Sequence, residues 1–159
     1  AGLAVSVPLG AYDSEYLLNV GFNRWAFKPE LGFSKMWGRW ILEGSVATAL
    51  FTDNTDYFGG LTREQEPLNS LQAHVVYRIR PGGFWVAFDA THFWGGQTTV
   101  DGVERDDKLQ NNRFGFTLAV PVSRKHSLKF YVSDGFNSRR GSEYKLAGLG
   151  WQYRWGGGL

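Results

Sequence analysis

The stretch Ala147-Gly148-Leu149-Gly150-Trp151-Gln152-Tyr153-Arg154-Trp155 changes character at every step. Odd positions are apolar or aromatic; even positions are glycine, glutamine or arginine. A helix brings residues three and four apart onto one face, whereas a strand does so at every second residue. The stretch therefore reads as a strand with one greasy face and one small or polar face. The same period recurs upstream. Leu71, Ala73, Val75, Tyr77 and Ile79 alternate with Gln72, His74, Val76, Arg78 and Arg80. Phe84, Val86, Phe88 and Ala90 alternate with Trp85, Ala87, Asp89 and Thr91. Phe114, Phe116, Leu118, Val120 and Val122 alternate with Arg113, Gly115, Thr117, Ala119 and Pro121.

Extended along the chain, this pattern predicts eight strands, over residues 3–9, 25–35, 40–51, 68–80, 84–95, 112–122, 127–134 and 143–155. Most are long for a soluble sheet. A tilted strand of about 9–11 residues crosses a bilayer. Pro29 lacks a ladder donor and predicts a bulge or bend in the second strand. The connections alternate in length. Long loops fall at 10–24, 52–66, 96–111 and 135–142; tight turns fall at 36–39, 81–83 and 123–126, marked by Trp37-Gly38 and Pro81-Gly82-Gly83. Outer-membrane barrels sort their connections in this way. The expected fold is thus all-β, an antiparallel up-and-down transmembrane β-barrel with eight strands in this chain.

Composition agrees with that reading. The 159 residues suit one domain. Aromatic rings are abundant, with 7 Trp, 7 Tyr and 12 Phe, more than a soluble core of this size readily satisfies at the polar tips. No run of 18 apolar residues exists, so no membrane helix is encoded. The mean hydropathy of −0.29 is compatible with a barrel, because lipid-facing and lumen-facing residues average out. The absence of cysteine excludes disulfides and thiolate metal sites. The first residue is Ala1, with no basic-then-apolar leader behind a Met, so the chain reads as a mature form or a fragment.

Charge sorts by side. The four long loops hold Asp13, Glu15, Asp53, Asp56, Glu64, Glu66, Asp101, Glu104, Asp106 and Asp107 against Arg24, Arg63, Arg105, Lys108, Arg139 and Arg140. The tight turns and strand ends opposite hold Lys35, Arg39, Arg80, Arg124, Lys125 and Arg154 and no acid. What remains is Glu30, Glu43, Asp89, Asp134 and Glu143 with Lys28, Arg78, Arg113, Lys129 and Lys145, mostly on the polar parity. Charges away from bulk water must be paired or wetted, so a balanced set suits a polar barrel interior. The expected lumen-facing, selectivity-setting residues are Lys28, Glu30, Glu43, Arg78, Asp89, Arg113 and Lys129. Aromatic residues predict two girdles: Trp37, Trp40, Phe84, Tyr153 and Trp155 near the turns, and Trp25, Phe27, Phe51, Phe93 and Trp94 near the loops.

Several blocks together resemble a known family. They are Asn23-Arg24-Trp25, Lys28-Pro29-Glu30-Leu31-Gly32, Phe51-Thr52-Asp53-Asn54, the run from Gly95 to Gly102, Asn112-Arg113, Ser127-Leu128-Lys129 and Trp151-Gln152-Tyr153-Arg154-Trp155. In this order they resemble the Gram-negative outer-membrane barrels named for the putative meta-pathway of phenol degradation. The resemblance runs over nearly the whole chain. It implies a bacterial outer-membrane location and uptake of phenolic or other aromatic compounds, and it carries over no catalytic residue. Members of that family are typically longer. Residues 1–159 are accordingly read as a single barrel domain or as the C-terminal part of a larger barrel. The alternating last strand also fits recognition by the barrel assembly machinery through strand addition.

Other chemistries fare poorly. His74 falls on a polar parity, His92 on a greasy one and His126 in a turn, and none sits in a Gly-x-Ser-x-Gly motif. Asp53–Asp56 and Asp101–Asp107 lack calcium-loop spacing; they read as solvated loops or, alternatively, as acids that share divalent cations with lipopolysaccharide phosphates at the outer surface. There is no basic stripe for nucleic acid and no P-loop. The expectation is a non-enzymatic passive uptake channel for small hydrophobic or phenol-like compounds, without cofactor or metal, in contact with membrane lipid and lipopolysaccharide. The alternatives are a closed structural or adhesive barrel with functional loops, and a soluble lipocalin-like binder. An eight-stranded barrel has an interior just wide enough for side chains to fill, so conduction calls for more strands.

Overall fold

The computed structural model describes residues 1–80, 82–136 and 145–155. Among them are twelve antiparallel strands and no helix. They are β1 (Gly2–Ser6), β2 (Ala26–Trp37), β3 (Trp40–Phe51), β4 (Asn54–Tyr57), β5 (Leu61–Gln65), β6 (Leu68–Arg80), β7 (Phe84–Gly95), β8 (Thr98–Val100), β9 (Val103–Glu104), β10 (Leu109–Pro121), β11 (His126–Phe136) and β12 (Lys145–Tyr153).

Eight strands form one meander in the order β1-β2-β3-β6-β7-β10-β11-β12. These are the eight that the alternation predicts, and β3, β6 and β7 start and stop at the predicted residues. The expected closure is not seen. β1 and β12 are the two edges of the sheet and do not pair with each other among the described residues. Tight turns join the hairpins at one end. Trp37 pairs with Trp40 across Gly38-Arg39, and Gly38 has φ +58°, the positive φ that a type II′ turn requires at its first central residue.

Pro29 behaves differently from expectation. The register from Phe27↔Leu50 to Glu30↔Ala47 is unshifted, so the strand carries no bulge. Pairing with β3 lapses at Lys28 and Pro29 and resumes beyond them, while Pro29 still lies opposite Leu3 of β1. The strand meets the missing donor by dropping a rung.

The segments expected to be long loops contain a second, four-stranded sheet in the order β4-β5-β8-β9. Its strands are short and polar on both sides (Asn-Thr-Asp-Tyr, Leu-Thr-Arg-Glu-Gln), so no apolar stripe announces them. Backbone pairing and side-chain ties hold them. Thr62 N–H donates to Asp101 Oδ1 at 2.7 Å, and the backbone and hydroxyl of Thr98 both donate to the Asp107 carboxylate. Of the expected 135–142 loop, residues 137–142 lie outside the described residues, as do Pro81 and the first two residues of the predicted last strand.

Packing inverts that of a soluble protein. No large side chain is fully buried among the described residues. The buried positions of the large sheet are small: Ala47, Ser70, Ala87, Ala119 and Ser127, all on one face. The opposite face exposes Leu31, Phe33, Val46, Leu71, Phe88, Phe116, Phe130, Val132, Leu149 and Trp151. The sheet curls toward the small-residue side. Arg154, after β12, reaches across β11 and β10 until its guanidinium lies beside Gly83 in the turn before β7. A soluble binder would bury its rings and expose its charges, so the lipocalin-like alternative does not describe this molecule.

The exposed apolar face has fixed limits. Polar residues appear on it at Thr48, Asn69, His92, Asn112, Asp134 and Lys145; ring-bearing residues appear eight positions away at Trp40, Tyr77, Phe84, His126 and Tyr153, and the corresponding position on β10 is Val120. The upper members pair sideways. Thr48 Oγ1 lies 2.9 Å from Asn69 Oδ1, His92 Nδ1 lies 2.7 Å from Asn112 Oδ1, and Lys145 Nζ lies 3.6 Å from Asp134 Oδ2. Asp134 and Lys145 therefore stand on the outer face, contrary to their grouping with the interior charges. Phe51 and Phe93 also change sides: the register puts them on the polar face, so they belong to no outer girdle.

Candidate functional site

Each strand contributes every second residue to the concave face, and the register aligns these residues in transverse rows. The middle row runs Ser34, Glu43, His74, Asp89, Gly115, Ser133. Within it Ser34 Oγ–H donates to Glu43 Oε1 at 2.9 Å and His74 Nδ1 contacts Asp89 Oδ1. Two steps toward the turns lies the row Arg78, Trp85, Ala119, Lys129, Gly150. Lys129 Nζ sits 5.6 Å from the Trp85 ring centroid, reaching over Ala119, which is 1% exposed. Arg78 Nη1 lies 3.1 Å from Met36 Sδ. One step the other way lie Gln72, Thr91 and Arg113, then Glu30 with Ala47, Ser70 and Phe93, and finally Lys28. Lys28 and Glu30 pair at 3.5 Å.

All seven residues expected to face an interior (Lys28, Glu30, Glu43, Arg78, Asp89, Arg113 and Lys129) thus share one face. The ion pairs described on this face are partly exposed, so their remaining donors and acceptors are accessible. Tyr131, one row from Lys129, covers Gly148; a Cβ there would fall 2.2 Å from the ring. The glycine makes room for a flat aromatic wall.

The loop end of this face holds a cluster that strand parity did not reveal. The Arg24 guanidinium lies 4.5 Å from the Phe51 centroid and donates through Nη2 to Gln65 Oε1. Its Nη1 is buried without a hydrogen-bond partner. Arg63, two residues before Gln65 on β5, lies 5.2 Å from the Tyr57 ring. Burial first, and the Arg63 charge second, hold the Arg24 guanidinium below its usual range. Asn54, 3% exposed, joins the loops: it accepts from Asn23 Nδ2 at 2.9 Å and from the Asp56 backbone at 3.1 Å, and donates to Tyr12 Oη at 2.9 Å. The signal available in sequence was Phe51, an aromatic on a polar parity directly before Asp53-Asn54.

Catalytic and metal arrangements are sparse. Among the described residues no group of three or more His, Asp or Glu could hold a metal. His126 accepts the Trp151 indole N–H at 3.0 Å and stacks on that ring, which fits a structural histidine at an interface. The molecule is a curled antiparallel sheet with an exposed apolar outside and a charged inside, the architecture of membrane-spanning β proteins. The sequence profile of the family described as the putative MetA-pathway of phenol degradation matches residues 1–154, and this chain belongs to that family. The fold is similar to the crystal structure of an outer membrane channel from Pseudomonas putida F1, with TM-score 0.80 and 25% identity over 95% of this chain. This chain spans 57% of that channel's length. A search of curated proteins finds no match.

Proposed function

We propose that the chain forms wall of a β-barrel channel in the bacterial outer membrane, and that the channel passes small hydrophobic or aromatic, phenol-like compounds by passive diffusion. The observation that carries this reading is the division of faces. Seven charged residues share the concave side, while the convex side is apolar over a fixed band. The mechanism follows from the rows. Solutes gather at the knitted loops. They descend along a face that alternates small residues with open ion pairs. Arg78 and Lys129 attract carboxylate or phenolate groups, and Trp85 and Tyr131 offer rings for stacking. No step of this passage involves bond-making, so the reading is non-enzymatic. Membrane lipid and lipopolysaccharide are the surroundings it implies.

The test is single-channel recording of the whole protein in planar bilayers, with phenol and benzoate uptake into liposomes. The expected result is a discrete conductance whose reversal potential shifts toward cation selectivity in Arg78→Glu/Lys129→Glu. Absence of both conductance and uptake removes the proposal. One observation favours a second reading, a closed structural or adhesive barrel. At the loop end Arg24, held by Gln65 of the loop sheet, packs on Phe51 of the concave face, and at the turn end the Arg154 arm crosses to Gly83. That reading predicts no permeation, and loss of surface binding when residues 52–66 and 96–111 are shortened.

A further inference from the structure

The turn-side half of the large sheet contains no carboxylate. Residues 35–42, 75–80, 82–88, 116–133 and 146–155 carry Lys35, Arg39, Arg78, Arg80, Arg124, Lys125, Lys129 and Arg154 and not one Asp or Glu. Arg78 and Lys129 stand on the concave face. The other six are clustered at the sheet end, where β2, β6, β10 and β12 finish and β3, β7 and β11 begin. None of the six is in an ion pair among the described residues. They are not scattered in solvent either. All but Arg154 ride on a belt of rings on the apolar face: Lys35 Nζ lies 5.1 Å from the Trp37 centroid, and Trp40 and Tyr77 pack at 4.6 Å beside Arg39. His126, Trp151, Tyr153 and Trp155 form a continuous stack, with successive centroids 5.0–6.5 Å apart. Arg154 N–H donates to Lys125 O at 2.8 Å, which ties the turn that carries Arg124 and Lys125 to the end of β12, while the Arg154 side chain leaves on the concave side toward Gly83.

Aromatic rings of this kind settle at the level of lipid headgroups. Five cations at that level (Lys35, Arg39, Arg80, Arg124 and Lys125), with no internal anion, need external ones, and the anion available there is the lipid phosphate. We propose that this end of the molecule is a binding belt for anionic phospholipid headgroups. Its densest subsite is formed by Arg124 and Lys125 in the turn before β11, with acyl chains lying along Leu149, Trp151 and Tyr153. The loop end has the opposite balance, with ten acids to six bases. The belt therefore also orients the molecule relative to an anionic leaflet. This inference rests on the outer-membrane reading but not on conduction.

The experiment uses the whole protein in nanodiscs of phosphatidylcholine doped with phosphatidylglycerol, with retained lipids counted by native mass spectrometry. Phosphatidylglycerol is expected to be retained preferentially, and Lys35→Gln/Arg124→Gln/Lys125→Gln to weaken that retention by about tenfold or more. The loop-end control Arg63→Gln/Arg105→Gln/Lys108→Gln should leave retention unchanged. Should the first triple variant fail to fold, the wild type decides the matter: the preference must fall as salt rises. Equal retention of the two lipids, equal effects of the two triple variants, a salt-independent preference, or saturation by inorganic phosphate in detergent overturns the proposal. Single-channel conductance measured on the same samples separates this failure from failure of the channel reading.

Discussion

Two glycines face rings, and their surroundings make opposite demands. At Gly148 an added methyl would strike Tyr131, which is held on the concave side; at Gly44 it would strike Phe33, whose ring is 61% exposed on the apolar side. Phe33 can swing outward and Tyr131 has less room to do so. Gly148→Ala is therefore expected to destabilise the sheet by about 1–3 kcal/mol in urea titration in detergent, and Gly44→Ala by less. Adding Tyr131→Ala to Gly148→Ala should recover most of the loss, a coupling that a double-mutant cycle reads directly. Asn54 poses a different problem. Truncation to alanine strands the Asn23 amide and the Asp56 N–H and takes one partner from the Tyr12 hydroxyl, which keeps Asp56 O as its acceptor, at a cost of roughly 1–3 kcal/mol. Because those partners lie in the loops, Asn54→Ala should accelerate proteolysis within residues 10–24 and 52–66 while the large sheet melts as before.

At the scale of the strand, parity is the controlling variable. Phe116 and Thr117 are neighbours on β10 and face opposite ways. In a bilayer, Phe116→Lys places a cation near the apolar midplane and is expected to cost about 2–4 kcal/mol of folding stability; Thr117→Lys should cost little. Folding titrations into lipid vesicles distinguish the two. A pair of equal losses would contradict the assignment of faces. The same parity explains what the sequence reveals and what it conceals. Where one face is apolar and the other polar the strands are legible, to the residue in β3, β6 and β7 and within three residues in β10, β11 and β12. The strands of the loop sheet have no apolar face, so nothing in their composition separates them from loop. Asp134 and Lys145 were misplaced for a related reason. Both lie near strand ends, where a charge signals the edge of the apolar band as readily as the inner face. Phe51 and Phe93 err in the other direction, since an aromatic near a strand end resembles a girdle whichever face it occupies. The seven charged residues of the concave face all fall on the polar parity of their strands, so the alternation alone groups them. The Arg24 cluster was not, because its partners come from three segments that are brought together only by the loop sheet.

For the molecule as a whole, the eight-residue interval between polar and aromatic limits, repeated on β3, β6, β7, β11 and β12, amounts to a ruler. Eight residues extend roughly 26 Å along a strand. A barrel tilt near 40° reduces that to a height of roughly 20 Å, somewhat below the apolar thickness usual for transmembrane barrels. The lipid, being softer than a hydrogen-bonded sheet, must absorb the difference. Insertion is expected to be fastest and most complete in vesicles of short-chain phosphatidylcholines and to slow as acyl chains lengthen, as followed by tryptophan fluorescence. A rate independent of chain length would mean that the interval does not set the membrane span. In longer-chain bilayers the molecule would sit in a dimple of thinned lipid. Dimples around neighbouring copies lower their combined elastic energy by merging, so bilayer mechanics alone would draw copies of this protein together without any contact evolved between them.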